Sequence, residues 1–212
     1  MPKPVRHPLF ARVYARLATA EESEQAEHRR ELLSGLSGRV VEVGAGHGLN
    51  FRHYPSTVTE LVAVEPEAYL RDLATEAAQQ APIPVHVIDG VADAIPAADE
   101  EFDAAVACLM LCSVPDQARA LTEFRRVLRR GGELRFYEHV VAETAGFAHA
   151  QRIGDRSRLW PLLAGGCHAS RDTATAIAAA GFEIERCSRF DFRAGLPQFL
   201  ATPKILGSAR RA

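Results

Sequence analysis

A glycine-rich turn directly after a short apolar strand restricts most strongly what this chain can fold into. Residues 39–43 form a β-branched run typical of a buried strand, and they lead into Gly44-Ala45-Gly46-His47-Gly48. Glycine lets the backbone turn tightly and come close to a ligand, and the free amides at the start of a following helix favour negative charge. The arrangement therefore predicts a strand, a loop and a helix around a nucleotide-like ligand.

The spacing of these glycines argues against a dinucleotide. A dinucleotide fingerprint needs G-x-G-x-x-G, because its third glycine allows the helix to pack closely under a pyrophosphate. Here that third position is Leu49, and the pattern is G-x-G-x-G preceded by Glu42. It favours a ligand made of an adenosine and an amino acid, and an NAD-linked reductase is kept as a rival interpretation.

A carboxylate at the end of the next strand supports an adenosine ligand. Residues 61–65 are predicted as a second strand that ends in Glu65, 21 residues after Gly44. A carboxylate at that place can accept hydrogen bonds from both ribose hydroxyls, and it would repel the 2′-phosphate of NADP. The alternative interpretation is that Glu65 is only a solvated acid at a strand end.

Short apolar runs alternate with helical patterns along the rest of the chain. Alternation of this kind predicts a parallel sheet that is covered by helices on both faces. A glycine pair, Gly131-Gly132, is expected to end the helix before it, where a left-handed residue is needed. Further strands are predicted at residues 84–88, 102–108, 133–137, 182–192 and 204–207, and helices at residues 67–80, 116–129 and 171–180.

Length and composition favour one domain. The chain has 212 residues, of which 47% are hydrophobic and 25% charged, and this balance is that of a globular protein with a full core. We expect a single domain over residues 1–212. Residues 1–37 carry apolar positions at helical spacing and are predicted to be a helical cap over the site. Residues 140–170, where the pattern loosens, are predicted to be a lid.

Charge, hydropathy and cysteine spacing argue against several classes of function. The net charge of -2 lacks the basic excess of a nucleic-acid-binding protein. No apolar run approaches the roughly 18 residues of a membrane span, so no stable membrane insertion is expected and a cytoplasmic location is predicted. The cysteines include no C-x-x-C pair, and we expect neither a bound metal nor dithiol redox chemistry from Cys108, Cys112, Cys167 and Cys187.

Three further motifs carry a resemblance to a known family. They are Gly90-Val91-Ala92-Asp93-Ala94-Ile95-Pro96, Phe102-Asp103-Ala104-Ala105-Val106 and Arg126-Val127-Leu128-Arg129-Arg130-Gly131-Gly132. Together with the glycine loop and Glu65, they resemble the class I S-adenosylmethionine-dependent methyltransferases with a methyltransferase type 11 domain. The resemblance spans most of the chain.

Additional motifs are most similar to one branch of that family, the methyltransferase-like alkyl thiol methyltransferases. They are Gly48-Leu49-Asn50-Phe51-Arg52-His53-Tyr54-Pro55, Leu111-Cys112-Ser113-Val114, Tyr137-Glu138-His139-Val140, Trp160, Gly166-Cys167-His168 and Arg171-Asp172-Thr173. The resemblance to this branch does not by itself identify the methyl acceptor.

The family resemblance implies a fold and a cofactor. The implied fold is an α/β, Rossmann-like three-layer sandwich with a seven-stranded, mostly parallel sheet whose last strand is antiparallel. Many relatives have an aspartate where this chain has Val91, so Asp89 and Asp93 are candidates to replace its contact with the adenine amino group. The implied cofactor is S-adenosyl-L-methionine, held by Glu42, Gly44, Ala45, Gly46, Gly48, Asn50, Glu65, Pro66, Ala92 and Leu109.

The acceptor is expected to bind after the fourth and fifth predicted strands. His139 follows the fifth strand, and because imidazole takes up a proton near pH 7, His139 is the candidate catalytic base. Its alternative role is to cap the strand. Cys112 is expected to be a buried apolar residue rather than a nucleophile, and Ser170 is expected to cap a helix through Thr173. Candidate acceptor-binding residues are Tyr14, Cys112, His139, Trp160, Cys167 and His168.

Methyl transfer to a small thiol is the function that we expect. Transfer from a sulfonium depends mainly on orientation and exclusion of water, and a thiol ionises near neutral pH more readily than an amine does. The alternatives are N- or C-methylation of a phospholipid amine or a quinone-type acceptor, and a non-catalytic S-adenosylmethionine-binding module. We expect a small-molecule acceptor, no nucleic-acid partner, and a monomer or homodimer.

Overall fold

A seven-stranded sheet forms the centre of the molecule, in a computed structural model that describes residue 15, residues 22–192 and residues 202–212. Its strands are β1 (Gly38–Val43), β2 (Val58–Val64), β3 (Val85–Ile88), β4 (Phe102–Cys108), β5 (Leu128–His139), β6 (Phe182–Phe192) and β7 (Thr202–Arg211). Their spatial order is β3-β2-β1-β4-β5-β7-β6.

The first five strands pair in parallel, and the last strand runs antiparallel to both of its neighbours. β1 pairs with β2 and β4, β2 with β3, and β4 with β5, all in parallel register. β7 lies between β5 and β6 and is antiparallel to each. The α/β fold predicted from the resemblance, with seven strands and an antiparallel last strand, is confirmed.

Six α-helices of the described part of the chain precede β1 or lie between the strands. They are α1 (Glu22–Leu33), α2 (Ala68–Ala78), α3 (Gln117–Val127), α4 (Ala145–Arg156), α5 (Leu159–Leu163) and α6 (Thr173–Ala179). At the start of α2, α3 and α6, the side chains of Glu67, Asp116 and Asp172 accept the backbone N–H three residues further on. These caps satisfy amides that have no partner within the helix.

The predicted end of the helix before the glycine pair is wrong. α3 ends at Val127, and β5 already begins at Leu128, so Gly131-Gly132 lies inside the strand. Leu128 is fully buried and pairs with Phe102 of β4, and this sheet contact replaces the last helical turn. The glycines lie where the pairing of β4 with β5 is irregular. A side chain does not fit at Gly132, because its Cβ would lie 2.8 Å from the carbonyl oxygen of Arg129.

The predicted cap of the helix after residue 170 is also wrong. Asp172 accepts the backbone N–H of Thr175 and therefore caps α6. Ser170 instead donates its hydroxyl to Asp155 Oδ2 at 2.6 Å, and its backbone N–H donates to the same oxygen at 2.9 Å. The hydroxyl of Ser170 therefore bonds to a carboxylate of another helix, α4, and this partner cannot be predicted from neighbouring residues in the sequence.

Residues 140–170, predicted as a segment of loosened pattern, contain α4 and α5. Gln151 anchors α4 to the end of β5, because its Oε1 accepts the N–H of Ala142 at 2.7 Å and its Nε2 donates to the carbonyl of Val140. A movement of this segment as a lid stays a prediction.

The sheet separates two apolar layers. Alternate residues of a strand point to opposite faces, so Val41 packs in the layer that contains Phe124 of α3 and Ile177 of α6, whereas Val40 packs with Leu33 of α1. This division makes the three-layer sandwich. Among the described residues, every helix is too short or too polar to cross a lipid bilayer.

Strand order reverses direction between β1 and β4. The chain builds outward from β1 through β2 to β3, and then returns to place β4 on the other side of β1. In open sheets of this kind, the crevice outside the carboxyl ends of the strands at the reversal is where ligands bind. The topology therefore predicts a ligand site at the loops after β1 and β4.

Candidate active site

A cleft of about 270 Å³ opens at the carboxyl end of β1, at the point where strand order reverses. Most of its wall comes from the predicted cofactor loop, with additions from α1 and from the end of β4. The lining residues are Arg29, Glu42, Gly44, Ala45, Gly46, His47, Leu49, Asn50 and Cys108.

The loop after β1 requires glycine at more than one position. Gly44 has a φ of 72°, and a Cβ there would lie 2.8 Å from the Cβ of Met110. Gly48 has a φ of 80°, and a Cβ there would lie 2.7 Å from the ring of Phe51. Both the left-handed backbone and the lack of space exclude larger side chains without rearrangement.

The helix expected directly after this loop is only a single 3₁₀ turn, Phe51–His53. This turn is too short to present the row of free amides that begins an α-helix. The predicted attraction of negative charge by a helix start therefore does not arise here. The loop amide of Gly46 faces a carboxylate instead, because its N–H donates to Glu65 Oε2 at 2.8 Å.

Glu65 lies at the tip of β2, beside the glycine loop. Its second oxygen accepts the backbone N–H of Glu67 at 2.9 Å, and only 5% of the residue is exposed. Burial raises the pKa of its carboxyl to about 7, and the bonds from Glu67 and Gly46 act in the opposite direction. Glu65 is therefore a buried group beside the cleft and not a solvated strand-end acid.

Glu42 is the centre of a buried hydrogen-bond network on the other side of the loop. Its carboxylate accepts from Asn50 Nδ2 at 2.7 Å and from the Tyr54 hydroxyl at 2.8 Å. Asn50 in turn accepts from Arg29 Nη1 at 2.7 Å. Burial raises the pKa of Glu42 to about 7, while the bonds from Tyr54 and Asn50 lower it.

Sequence reasoning missed Arg29 and Tyr54. The motif that contains Tyr54 is visible in the sequence, but its bond to Glu42 depends on how the loop folds back. Arg29 also donates to Cys108 Sγ at 3.3 Å and so joins α1 to the ends of β1 and β4. The described part of residues 1–37 thus lies against the cleft, whereas the predicted acceptor residue Tyr14 lies outside the described residues.

The end of β4 has a strained backbone. Leu109 has a φ of 56°, a left-handed conformation that is uncommon for a residue other than glycine, asparagine or aspartate. Its N–H donates to the carbonyl of Tyr137 at 2.7 Å, which holds the turn against β5. Strain of this kind is concentrated at functional sites. The turn brings Met110 against the glycine loop, at the place where Gly44 has no side chain.

Three of the predicted acceptor-binding residues meet beyond the end of β4. The Nδ1 atom of His139 lies 3.7 Å from Cys112 Sγ and 3.7 Å from Cys167 Sγ. Both cysteines are buried, and His139 is half-buried. The hydrogen bond with Cys167 and burial raise the pKa of Cys112 to about 12, so as a free thiol it is protonated and a poor nucleophile.

Glu138 holds the backbone that carries Cys112. Its fully buried carboxylate accepts the N–H groups of Met110, Leu111 and Cys112 at 2.9, 2.8 and 3.1 Å. Burial raises the pKa of Glu138 well above its ordinary value, although the three amide bonds act in the opposite direction. Sequence reasoning quoted Glu138 in a motif but gave it no role.

Arg171 and His168 join the segment before α6 to the same turn. Arg171 donates to the carbonyl oxygens of Leu111 and Val114 at 2.6 and 2.7 Å. The backbone N–H of His168 donates to the carbonyl of Cys112 at 2.8 Å. These bonds align Cys167 with Cys112.

Three further predicted site residues lie outside the lining of the cleft. Pro66 is half-buried directly after Glu65, and Ala92 is half-buried against the apolar layer that contains α3. Trp160 lies on α5 with 44% of its surface exposed.

The sheet topology and the carboxylate-rimmed cleft define an α/β protein that binds a nucleoside-type cofactor at the reversal of strand order. A family model described as a methyltransferase domain matches residues 41–136, from β1 into β5. A solved S-adenosylmethionine-dependent methyltransferase from Thermotoga maritima superposes with a TM-score of 0.70 and 21% identity over 96% of each chain, which supports the fold.

Two curated proteins extend the comparison. The thiol S-methyltransferase TMT1A of Homo sapiens is 31% identical over 212 residues, covering 94% of this chain and 85% of its own length. A phosphatidylethanolamine N-methyltransferase of Cereibacter sphaeroides is 30% identical over 123 residues, 57% of this chain and 60% of its own length. The chain belongs to the S-adenosylmethionine-dependent methyltransferases, and S-adenosylmethionine is its cofactor.

Proposed function

We propose that this methyltransferase transfers a methyl group to the sulfur atom of a small thiol. The observation that carries the proposal is the 31% identity to a thiol S-methyltransferase, which extends over nearly the whole chain and therefore includes the acceptor side as well as the cofactor side. Identity restricted to the cofactor loop would support methyl transfer without favouring an acceptor.

The cleft suits a cofactor that carries positive charge. Glu42 and Glu65 place two carboxyl groups with pKa values of about 7 beside the glycine loop. Glu65 would hold the ribose hydroxyls, Gly44 and Gly46 would lie against the methionine part, and Ala92 would meet the adenine edge. When bound, S-adenosylmethionine supplies a methyl group on a sulfonium, so the chain has to orient the acceptor and exclude water.

Strand order supports an acceptor site next to the glycine loop. Along the carboxyl edge of the sheet, Glu65 follows β2, the glycine loop follows β1, Leu109 follows β4, and His139 ends β5. The acceptor would bind beside the β4 and β5 ends, among soft groups such as Cys112 and an imidazole. His139 is the group in this region that can help the acceptor to lose its proton.

A panel of acceptors tests the proposal. Purified protein is incubated with S-adenosylmethionine labelled in the methyl group and with alkyl thiols, amines or phenols, and labelled products are identified by mass spectrometry. We expect methyl thioethers from the thiols and none with a Glu65→Ala variant. Label found only on amines, phenols or carbon would reject S-methylation.

Methylation of a phospholipid amine is the second candidate. Two observations favour it: the identity to a phosphatidylethanolamine N-methyltransferase, and exposed apolar side chains on α4 and α5. Flotation with liposomes that contain phosphatidylethanolamine, followed by analysis of the lipids for methylated headgroups, separates the two functions. The exposed side chains are Phe147, Ile153, Trp160 and Leu162.

A further inference from the structure

Three side chains that commonly bind zinc converge from separate parts of the chain. Cys112 belongs to the turn after β4, His139 ends β5, and Cys167 precedes α6. Their ligand atoms all lie within 4.8 Å of one another. Thiolate and imidazole are the ligands that zinc prefers in proteins. The expectation of no bound metal rested on spacing along the sequence, which does not reveal a cluster of this kind.

The two distances from nitrogen to sulfur match those of a tetrahedral site. Zinc–sulfur bonds of about 2.3 Å and zinc–nitrogen bonds of about 2.0–2.1 Å, at tetrahedral angles, place sulfur and nitrogen about 3.6 Å apart. The two observed distances from His139 Nδ1 to Cys112 Sγ and Cys167 Sγ are both 3.7 Å. An ion can therefore be accommodated between these atoms with little movement of the side chains.

We propose that Cys112, Cys167 and His139 bind a zinc ion and leave its fourth coordination position for the sulfur of the acceptor thiol. Three protein ligands with one open position are the arrangement of catalytic zinc sites, whereas structural zinc sites use four protein ligands. The role of the fourth position rests on the proposed S-methylation, but the binding of the ion by this chain does not.

The surrounding hydrogen bonds prepare the site. Glu138 holds the amide of Cys112, the N–H of His168 holds its carbonyl, and Arg171 holds the carbonyls on either side of the turn. Partners outside the ligands fix their orientation, and their loss weakens metal binding. The sulfur atoms thus face His139 before any ion binds.

The charges also favour a divalent ion. Two thiolates and one neutral imidazole compensate the charge of Zn²⁺, so the complete site is neutral in a place where an unpaired charge would be costly. Binding of the ion releases the two thiol protons to solvent, and no electron changes hands.

The ion would also bind the acceptor sulfur during methyl transfer. The acceptor thiol loses its proton to solvent as its sulfur takes the fourth position of the ion. That sulfur then forms a bond to the methyl carbon, while the bond between this carbon and the sulfonium breaks and leaves its electron pair on the cofactor sulfur. When the ion is bound, His139 is a metal ligand, and the ion replaces it as the group that helps the acceptor thiol to lose its proton.

Metal binding is tested directly on the full-length protein. The reduced protein is prepared without chelators, its zinc content is measured by mass spectrometry, and its affinity is measured by competition with a chromophoric chelator. Cobalt(II) is then added to metal-free protein. We expect one zinc per chain, and with cobalt a sulfur-to-metal charge-transfer band together with visible bands typical of tetrahedral coordination.

Substitutions assign the ligands. Cys112→Ser, Cys167→Ser and His139→Gln are each expected to reduce zinc affinity by more than the roughly 10- to 100-fold that loss of an outer partner costs. Cys187→Ser removes an exposed thiol on β6 and is expected to leave zinc binding unchanged. Binding of S-adenosylmethionine, measured by calorimetry, verifies that each variant has folded.

Two results would overturn the metal site. One is wild-type protein that binds the cofactor but takes up no more zinc or cobalt than the Cys112→Ser, Cys167→Ser double variant. The other is a disulfide between Cys112 and Cys167, found by peptide mass spectrometry in protein that is metal-free as isolated and binds no zinc after reduction.

Addition of an alkyl thiol to the cobalt protein tests the fourth position. We expect a stronger sulfur-to-cobalt band, since a third thiolate joins the ion, and no such increase with an alcohol of the same chain length. Methyl transfer to that thiol with no spectral change would overturn the acceptor role. Thiol binding to cobalt without methyl transfer would support the metal site and count against the proposed function alone.

Discussion

Individual positions around the cleft are restricted by two physical requirements, space beside the backbone and the charge state of buried acids. Gly44 illustrates the first, because the side chain of Met110 occupies the place where its Cβ would be. Glu65 illustrates the second, because its carboxyl group is almost fully buried and its charge is costly without a ligand. Each requirement leads to a prediction for a single substitution.

Gly44→Ala is expected to lower both stability and cofactor affinity. A left-handed alanine costs about 1–2 kcal/mol, and overpacking against Met110 adds about 1–3 kcal/mol. We expect the dissociation constant of S-adenosylmethionine, measured by calorimetry, to rise at least about tenfold. Gly131→Ala is the matched control, because it has the same φ of 72° but open space around the added Cβ. It should lose stability alone, and equal losses of affinity in the two variants would contradict the steric argument.

Glu65→Gln is expected to weaken the dependence of stability on pH. Because the pKa of folded Glu65 is about 7 and its ordinary value is 4.5, the unfolded chain loses this proton first as pH rises. The contribution of the group is therefore present below pH 4.5 and is lost as pH rises to 7. Over this window, the free energy of unfolding of the wild type should fall by up to about 3 kcal/mol more than that of the variant.

Urea unfolding of the cofactor-free protein at several pH values measures this difference. Glu76→Gln, a change at an exposed position of α2, is the matched control and should follow the wild type. Cofactor affinity of the wild type should rise as pH increases through 7, since the carboxylate accepts hydrogen bonds from the ribose. Parallel pH curves for Glu65→Gln and the wild type would show that Glu65 does not titrate in this range.

Hydrogen bonds hold two connecting segments together, the turn after β4 and the segment before α6. Arg171 bonds to two carbonyls of the turn, and the amide of His168 bonds to a third. Neither segment has regular secondary structure at these positions, so side-chain bonds replace the ladder that a strand or helix would provide. The conformation of these two segments therefore depends on contacts between distant residues more than the conformation of the glycine loop does.

Arg171→Met is expected to impair methyl transfer without removing the cofactor. Loss of the two bonds to Leu111 and Val114 should increase hydrogen exchange in the turn after β4 and lower kcat/KM at least about tenfold, whereas the dissociation constant of S-adenosylmethionine should change less than about twofold. Arg130→Met, at an exposed position of β5, is the control. A parallel loss of cofactor binding would indicate that Arg171 supports the whole fold instead.

The central sheet of the molecule sets the relative positions of the loops around the cleft. The chain leaves β1 toward β2 on one side and later places β4 on the other side of β1, so the loops after these two parallel strands open a cleft. β5 lies next to β4 and brings His139 to the same edge of the sheet. The two apolar layers hold this arrangement from both faces. Cofactor binding should therefore be detected as a change in the stability of the entire described domain.

S-adenosylmethionine is expected to raise the thermal midpoint of unfolding. At a free concentration about one hundred times its dissociation constant, a ligand specific for the folded state adds about 2.7 kcal/mol. For a domain of this size, that corresponds to roughly 5–10 °C. NADH and NADPH should leave the midpoint unchanged, and a shift with either of them equal to the shift with S-adenosylmethionine would contradict the cofactor assignment of the cleft.

Several elements were predictable because their signals are local. The strand at residues 102–108 and the strand at 182–192 have their predicted bounds. The first is a short apolar run that is buried in the sheet, and a run of this kind is a local signal. Helix ends were less predictable. The helix before Gly131-Gly132 ends earlier because Leu128 pairs with Phe102, and that contact between distant residues outweighs the usual role of glycine at a helix end.

By itself, the sequence determined the cofactor side of this protein: a glycine loop that admits no larger residues, and a carboxylate on the next strand tip. Both are set by short stretches of chain, in which backbone conformation follows directly from residue type. Only the tertiary structure decided the acceptor side, where Cys112 and Cys167 lie 27 and 28 residues from His139. Their meeting depends on the pairing of β4 with β5 and on the bonds from Arg171, and contacts between distant segments leave no periodic signal in the sequence.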